Sequence, residues 1–179
     1  MHKDFKEVLV SEEQIYQRCI ELGDEITRYY TERGSIPLLV SVLKGSSFFL
    51  TELSKRINMD IEVDFMCMES YHGTESTGDV HIVMDLDRSI QDCDILLIED
   101  IVDTGKTLRK VKGILNNKGA RDVKVASLLD KPSRRVVDET ADFIGFVIPD
   151  KFVVGFGLDF NQKYRNLPYI GVLKEELYK

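Results

Sequence analysis

The chain has 179 residues, is 43% hydrophobic and 31% charged, and carries a formal net charge of −7. This length suits one domain with a full core, and no apolar run is long enough to span a bilayer. The acidic balance argues against a nucleic-acid platform, which usually carries a basic patch. We therefore expect a single domain over residues 1–179 that has neither a nucleic-acid nor a membrane partner.

The cysteines and the N-terminal residues indicate the compartment in which the protein works. Cys19, Cys67 and Cys93 are odd in number and widely spaced, so neither a disulfide framework nor a zinc site is indicated. The first residues lack the apolar core of a signal peptide, and we expect a cytoplasmic protein.

Strand and helix patterns begin near the N-terminus. A helical pattern starts at Ser11, a favourable helix-capping residue, and stops at Gly34. Residues 37–43 form an apolar strand pattern, which runs into Lys44-Gly45-Ser46-Ser47 and then a predicted helix from Phe48 to Ile57. This small-residue turn can hold an anion beside Lys44, although an ordinary strand-to-helix turn is the simpler interpretation of the segment alone.

A polar segment interrupts the next strand pattern. Residues 61–69 alternate between apolar and polar, which predicts a strand with one less buried face. The glycine-bounded segment 70–78 follows, and residues 80–84 can complete a hairpin. A loop of this length is either a lid over a site or a plain hairpin tip.

The strongest chemical signal lies in the middle of the chain. Residues 95–98 predict a parallel strand buried on both faces, and Glu99 and Asp100 follow it directly. Residues 103–107, Asp-Thr-Gly-Lys-Thr, then lead into a predicted helix over 108–118. A helix N-terminus suits phosphate, whereas the two acids suit sugar hydroxyls or a divalent cation. The expected ligand therefore has both a phosphate and a diol.

Two rival motifs fail on their context. A P-loop needs glycine five positions before Gly105, where this chain has Asp100. Gly155-x-Gly157 suggests a dinucleotide fingerprint, but Phe160 stands at its third position and no helix follows.

The C-terminal third adds further strand patterns and two more candidate contacts. Residues 123–129, 143–148 and 169–173 predict strands, so the chain alternates strands and helices as an α/β protein does. Lys131 follows the first of these strands, where a lone lysine is more often simply solvated. Lys151-Phe152 pairs a donor with an aromatic plane, which suits a flat heterocycle.

Together these motifs resemble those of the purine phosphoribosyltransferases, specifically the short bacterial hypoxanthine (hypoxanthine-guanine) type. The resemblance extends from the turn at 43–46 to Arg165. The segments that carry it are residues 97–107, Ser70-Tyr71 with Ser76-Thr77-Gly78, Asp130-Lys131-Pro132, and Pro149 to Gly155. It implies the type I phosphoribosyltransferase fold, an α/β fold whose central, mostly parallel sheet is flanked by helices. A small hood lobe, built from the N-terminus and residues of about 149–179, and a flexible lid complete this implied fold.

The resemblance also implies an activity. A family member would transfer the phosphoribosyl group of 5-phosphoribosyl 1-pyrophosphate to hypoxanthine or guanine, with Mg²⁺ as cofactor, and would form a homodimer or homotetramer. The alternative is a non-catalytic regulator that senses nucleotides on the same fold, because a fold does not fix a function.

Roles for individual residues follow from the resemblance by position. Asp103 would exchange a proton with purine N7, Lys131 would donate to the 6-oxo group, Phe152 would stack on the ring and the Val153 backbone would read its edge. The implied contacts of the phosphoribosyl donor are Leu43, Lys44, Gly45, Glu99, Asp100, Asp103, Thr104, Gly105, Lys106, Thr107 and Arg165. The implied purine contacts are Lys131, Lys151, Phe152, Val153 and Asp159, the implied metal environment is Glu99, Asp100 and Asp159, and Ser70 and Tyr71 belong to the lid.

Three details of the family pattern concern the backbone. The Leu43–Lys44 turn can contain a non-proline cis peptide in this family. Ser46 stands where many relatives have a second glycine, which puts the pyrophosphate turn in question, and Gly157 stands where some have alanine.

Overall fold

Strands and helices alternate along the chain in the computed structural model, which describes residues 2–70 and 80–178. The elements are β1 (Phe5–Val10), α1 (Glu12–Arg33), β2 (Leu38–Leu43), α2 (Ser46–Ser54), β3 (Glu62–Ser70), β4 (Val80–Met84), β5 (Asp94–Val102), α3 (Lys106–Asn117), β6 (Asp122–Asp130), β7 (Phe143–Val147), β8 (Val153–Val154) and β9 (Ile170–Leu173). Short 3-10 helices cover Pro132–Arg134 and Glu175–Leu177. Among the described residues, no helix is long and apolar enough to cross a membrane.

One six-stranded sheet has the order β4-β3-β2-β5-β6-β7. All its strand pairs are parallel except β3 with β4, which is antiparallel. The chain moves from β2 outward to β3 on one side and later to β5 on the other, so the strand order reverses between β2 and β5. This arrangement confirms the expected type I phosphoribosyltransferase fold. It also leaves a crevice at the carboxyl ends of β2 and β5, where open α/β sheets bind ligands.

The central strands are buried on both faces, which explains their continuous apolar sequences. Leu39, Leu96 and Ile98 pack with α1 and α2 on one face. Leu38, Ile95 and Leu97 pack with α3 on the other. Successive side chains therefore point to opposite helical layers, as a pleated strand requires.

A second, three-stranded sheet has the order β1-β9-β8. β1 pairs antiparallel with β9, so Glu7 lies opposite Val172, and β9 pairs antiparallel with β8. Its strands come from the beginning of the chain and from residues after 149. The expected division into one domain with a small hood lobe stays a prediction, since the sheet also shares apolar packing with α1 and α2.

Several local predictions hold and some boundaries shift. Ser11 caps α1 in a full capping box, and Gly34 ends the helix with φ of 67°. α2 begins at Ser46 rather than Phe48, because its first turn includes the small-residue turn itself. The lid prediction falls mostly outside the described residues: Tyr71 lies there, and Ser70 is described only as the last backbone position of β3.

Candidate active site

The turn after β2 and the end of β5 meet at the switch point of the large sheet. The Leu43–Lys44 peptide is cis, as members of the resembled family can have it. Gly45 packs directly against the carboxylate of Asp100 and near the carbonyl of Gly157, so a Cβ at position 45 would overlap Asp100 Oδ2. Close approach rather than backbone conformation favours glycine here, because its φ of −59° is open to any residue.

Ser46 is buried and bonds to the strand that precedes this turn. Its Oγ donates to the Val42 carbonyl at 2.7 Å and lies 2.7 Å from Ser41 Oγ. Ser47 Oγ donates to the Lys44 carbonyl at 2.7 Å. The serine that departs from the family pattern thus bonds to residues of β2.

A cavity of about 240 Å³ lies between the end of β5 and the N-terminus of α3. Its lining residues are Glu99, Asp100, Ile101, Val102, Asp103, Thr104, Gly105, Thr107 and Leu108. Gly105, the residue before α3, has φ of 81°, and a Cβ there would crowd Val137. The N–H groups of the first helical turn and the threonine hydroxyls suit a phosphate, and the Lys106 N–H already donates to Thr104 Oγ1 at 3.4 Å.

Glu99 and Asp100 place two neighbouring carboxyl groups in the lining of this cavity. Burial, with the neighbouring Asp100 as a smaller cause, raises the pKa of Glu99. Burial also raises the pKa of Asp100 to about 6, although the Ile101 N–H donates to its Oδ1 at 2.8 Å. Glu99 Oε1 is buried and has no hydrogen-bond partner. An unpaired carboxylate oxygen of this kind is costly to bury, so the pair is suited to a cation or a diol.

A larger cavity of about 700 Å³ opens on the other side of Asp103. Asp103 and Ile101 line both cavities, so the two spaces meet at the residues that end β5. The Lys131 side chain enters the larger cavity and its Nζ donates to the Lys151 carbonyl at 2.6 Å. Burial lowers the pKa of Lys131, and Asp103 and Asp150 partly oppose that shift.

The far wall of this cavity is aromatic and apolar. Phe152 and Val153, to which the family resemblance gave purine contacts, line it together with Leu158. Lys151 also lines it, but its Nζ lies 2.6 Å from Glu7 Oε1 on β1. The Lys151 side chain therefore contacts the small sheet, and its carbonyl orients Lys131.

The remaining candidates line neither cavity. Asp159 and Arg165 form an ion pair at 2.7 Å, and Arg165 Nη1 donates to the Gly157 carbonyl at 2.6 Å. Arg165 lowers the pKa of Asp100, and Asp159 raises it. Lys44 and Lys106 are exposed and line neither cavity.

Sequence reasoning missed several residues of the larger cavity. They are Lys6, Glu7, Ile101, Arg134, Leu158, Val172, Leu173, Glu175 and Tyr178. Most belong to the small sheet or its flanks, where strand pairing joins positions more than 160 residues apart. Some of them lie near residues that the sequence did single out: Ile101 follows Asp100 directly, and Arg134 follows Lys131 by three residues.

Comparisons with known proteins agree with this fold. The family described as phosphoribosyl transferase domain matches residues 8–161. Hypoxanthine-guanine phosphoribosyltransferases of Lactococcus lactis and Staphylococcus aureus are each 49% identical over 179 residues, covering 99% of this chain and 96% and 99% of theirs. A crystal structure of a hypoxanthine phosphoribosyltransferase from Staphylococcus aureus superposes with a TM-score of 0.93 at 49% identity, covering 100% of this chain and 97% of that one.

The fold and the paired cavities define a type I phosphoribosyltransferase architecture. The chain belongs to the phosphoribosyltransferase family and, within it, to the hypoxanthine phosphoribosyltransferases.

Proposed function

We propose that this chain catalyses Mg²⁺-dependent purine salvage, transferring the phosphoribosyl group of 5-phosphoribosyl 1-pyrophosphate to hypoxanthine or guanine and releasing pyrophosphate. The observation that carries the proposal is the junction of the two cavities at Asp103. One cavity suits a phosphate and a sugar, and the other suits a flat base. The new glycosidic bond would form where they meet.

Thr104, Gly105, Lys106 and Thr107 bind the 5′-phosphate in this proposal. Gly105 and Thr107, at the start of α3, line the cavity, and the partial positive charge of the helix end favours an anion. Lys106 adds its charge from outside the cavity. Glu99 and Asp100 accept hydrogen bonds from the ribose hydroxyls, which gives Glu99 Oε1 a partner.

The pyrophosphate lies against the turn of Leu43, Lys44 and Gly45, with Arg165 beside it. Backbone N–H groups and the exposed Lys44 supply positive charge to this leaving group. Arg165 is held near the turn through its bond to the Gly157 carbonyl. Fixed donors of this kind stabilise the charge that develops as the bond to the ribose breaks.

Mg²⁺ fits the residues present at the donor site. No group of three potential protein ligands occurs within the described ranges, and Mg²⁺ is commonly held by one or two carboxylates plus substrate oxygens. Glu99 and Asp100 would hold the ion, with Asp159 placing a second one. When bound, it neutralises charge on the pyrophosphate.

The base stacks on Phe152 and accepts a hydrogen bond at its 6-oxo group from Lys131. The Val153 backbone contacts the edge of the base, and Lys151 and Asp159 lie close to that edge. Nitrogen N9 attacks the anomeric carbon as the bond to pyrophosphate breaks, and Asp103 takes the proton from N7. A positioned acid or base of this type contributes roughly 10²–10⁴-fold in rate. Ser70 and Tyr71 would help to exclude water from the anomeric carbon.

The test is a spectrophotometric assay with hypoxanthine, guanine and xanthine, the phosphoribosyl donor and Mg²⁺. We expect turnover with hypoxanthine or guanine that stops when a chelator removes Mg²⁺ and returns when Mg²⁺ is restored. Absence of turnover with every base, together with tight binding of IMP or GMP, would favour the non-catalytic sensor instead.

The setting and the assembly of the protein are also proposed. A cytoplasmic location agrees with three cysteines that are free thiols. We expect a homodimer or homotetramer from the family resemblance. Sedimentation would measure the oligomeric state.

A further inference from the structure

Tyr178, near the C-terminus, stacks on the ring of Phe152. The two ring centroids are 4.7 Å apart and the ring planes differ by 21°. Tyr178 follows β9 by way of the 3-10 helix Glu175–Leu177, and both rings line the larger cavity. No sequence motif pointed to this residue.

The side chain of Phe152 is partly exposed, so the backbone around it does little to fix the plane of the ring. It is 38% exposed and lies just before the two-residue strand β8. A base can stack on this ring only when the ring plane faces the cavity, and an unsupported ring would sample other orientations. Phe160 contacts the ring at 5.7 Å and a right angle, which restrains it from a second direction.

Tyr178 is itself anchored on the small sheet. It packs against the apolar cluster of Phe5, Val154 and Leu173. These residues are buried, and they belong to β1, β8 and β9. The stacked pair therefore links the base cavity to a fixed layer of the small sheet.

We propose that Tyr178 is a positioning residue for base recognition: it fixes the ring plane of Phe152 so that the purine stacks on a preoriented surface. The inference rests on the proposed function and deepens it, since it concerns the same base site. Tyr178 acts through Phe152 and takes no part in the proton transfer at Asp103.

Steady-state kinetics of Tyr178→Ala, Tyr178→Phe and the neighbouring Leu177→Ala test this role. Aromatic pairs of this geometry contribute enough free energy to expect a roughly 2- to 12-fold rise in KM for hypoxanthine in Tyr178→Ala. KM for the donor should stay the same, Tyr178→Phe should restore the wild-type value, and Leu177→Ala should match wild type. An unchanged KM for the base in Tyr178→Ala would overturn the proposal. A lower KM for the base would also overturn it, because it would mean that Tyr178 competes with the base for the Phe152 ring.

A measurement on the protein without substrates separates this inference from the proposed function. The Phe152 ring signals in a phenylalanine-labelled NMR spectrum should lose their ring-current shift in Tyr178→Ala and keep it in Tyr178→Phe. If the wild type shows no turnover but the shift behaves in this way, the stack is real and the proposed function is wrong. If turnover is normal and the shift is absent from the wild type, the positioning role is wrong.

Discussion

Arg134 and Asp103 form an ion pair in the larger cavity, with Arg134 Nε 2.8 Å from Asp103 Oδ1. Arg134 Nη1 also lies 3.5 Å from Asp150 Oδ1, so the arginine joins the end of β5 to the segment after β7. A carboxylate has two oxygens and several acceptor sites. The contact is an ion pair without hydrogen-bond geometry, so the Asp103 carboxylate can face Arg134 and still accept a hydrogen bond from a base.

Asp103→Asn should lower kcat by about 10²–10⁴-fold, because the amide cannot take a proton from purine N7. KM for the donor should change little, since the phosphate and ribose subsites keep their groups. Steady-state kinetics and donor binding by calorimetry measure the two effects separately. Asp138→Asn, at an exposed carboxylate, is the matched control. Wild-type turnover in Asp103→Asn would remove Asp103 from its proposed role.

Lys131→Ala should weaken binding of 6-oxopurines selectively. Hydrogen bonds to charged groups contribute about 1.5–3 kcal/mol, which corresponds to a KM for hypoxanthine raised roughly 10- to 160-fold. Adenine, which has an amino group at the same position, should become a relatively better competitor. The assignment fails if hypoxanthine binds as well as before and adenine no better. A thermal melt of the variant checks that loss of the bond to the Lys151 carbonyl has not unfolded the cavity wall.

Gly45→Ala should raise KM for the donor more than KM for the base. The added Cβ would overlap the Asp100 carboxylate, so the turn or the acid must move. Gly113→Ala is the matched control, since no atom lies within 4 Å of a Cβ there and the residue is inside α3. That variant should be more stable by roughly 0.5–1 kcal/mol, as alanine is favoured over glycine within a helix. Equal donor KM in both variants would contradict the close packing of Gly45.

Asp94→Asn should destabilise the fold without altering the kinetics. Asp94 begins β5 at the edge opposite the cavities, and Arg121 and Arg33 both bond to its buried carboxylate. We expect a loss of about 1–3 kcal/mol in the free energy of unfolding at neutral pH, since both arginines left behind are partly exposed. Urea unfolding measures this loss, and Asp92→Asn, at an exposed carboxylate two residues earlier, is the control.

The same ion pairs predict the direction of the acid response. Arg121 chiefly, with Arg33, holds the pKa of Asp94 well below its usual value, against the opposing effect of burial. A carboxyl whose pKa is lower in the folded state stabilises the fold above its unfolded pKa of about 3.9, and this contribution disappears as pH falls through the folded pKa. Stability of the wild type should therefore decline below about pH 4, and the difference from Asp94→Asn should shrink. A constant difference across this pH range would count against the assignment.

Local sequence patterns predicted the large sheet, and they place the proposed donor residues at the ends of two of its strands. Contiguous residues at the ends of β2 and β5 form this proposed donor side, so apolar runs, acids and glycines report it directly. The wall of the base cavity is different. Glu7 reaches it through pairing of β1 with β9, and Tyr178 through packing on Phe5, so neither position has a local pattern that marks it. The roles given to individual residues stay predictions until the variants are measured.

The two cavities share Ile101 and Asp103, and this has a consequence for inhibitor design. A compound that joins a flat heterocycle to an acidic group through a spacer about as long as a ribose can occupy both spaces at once. It loses translational and rotational freedom only once, so its affinity can exceed that of either fragment by a large factor. Spacer length, rather than the strength of either fragment, should then dominate the ranking of such compounds.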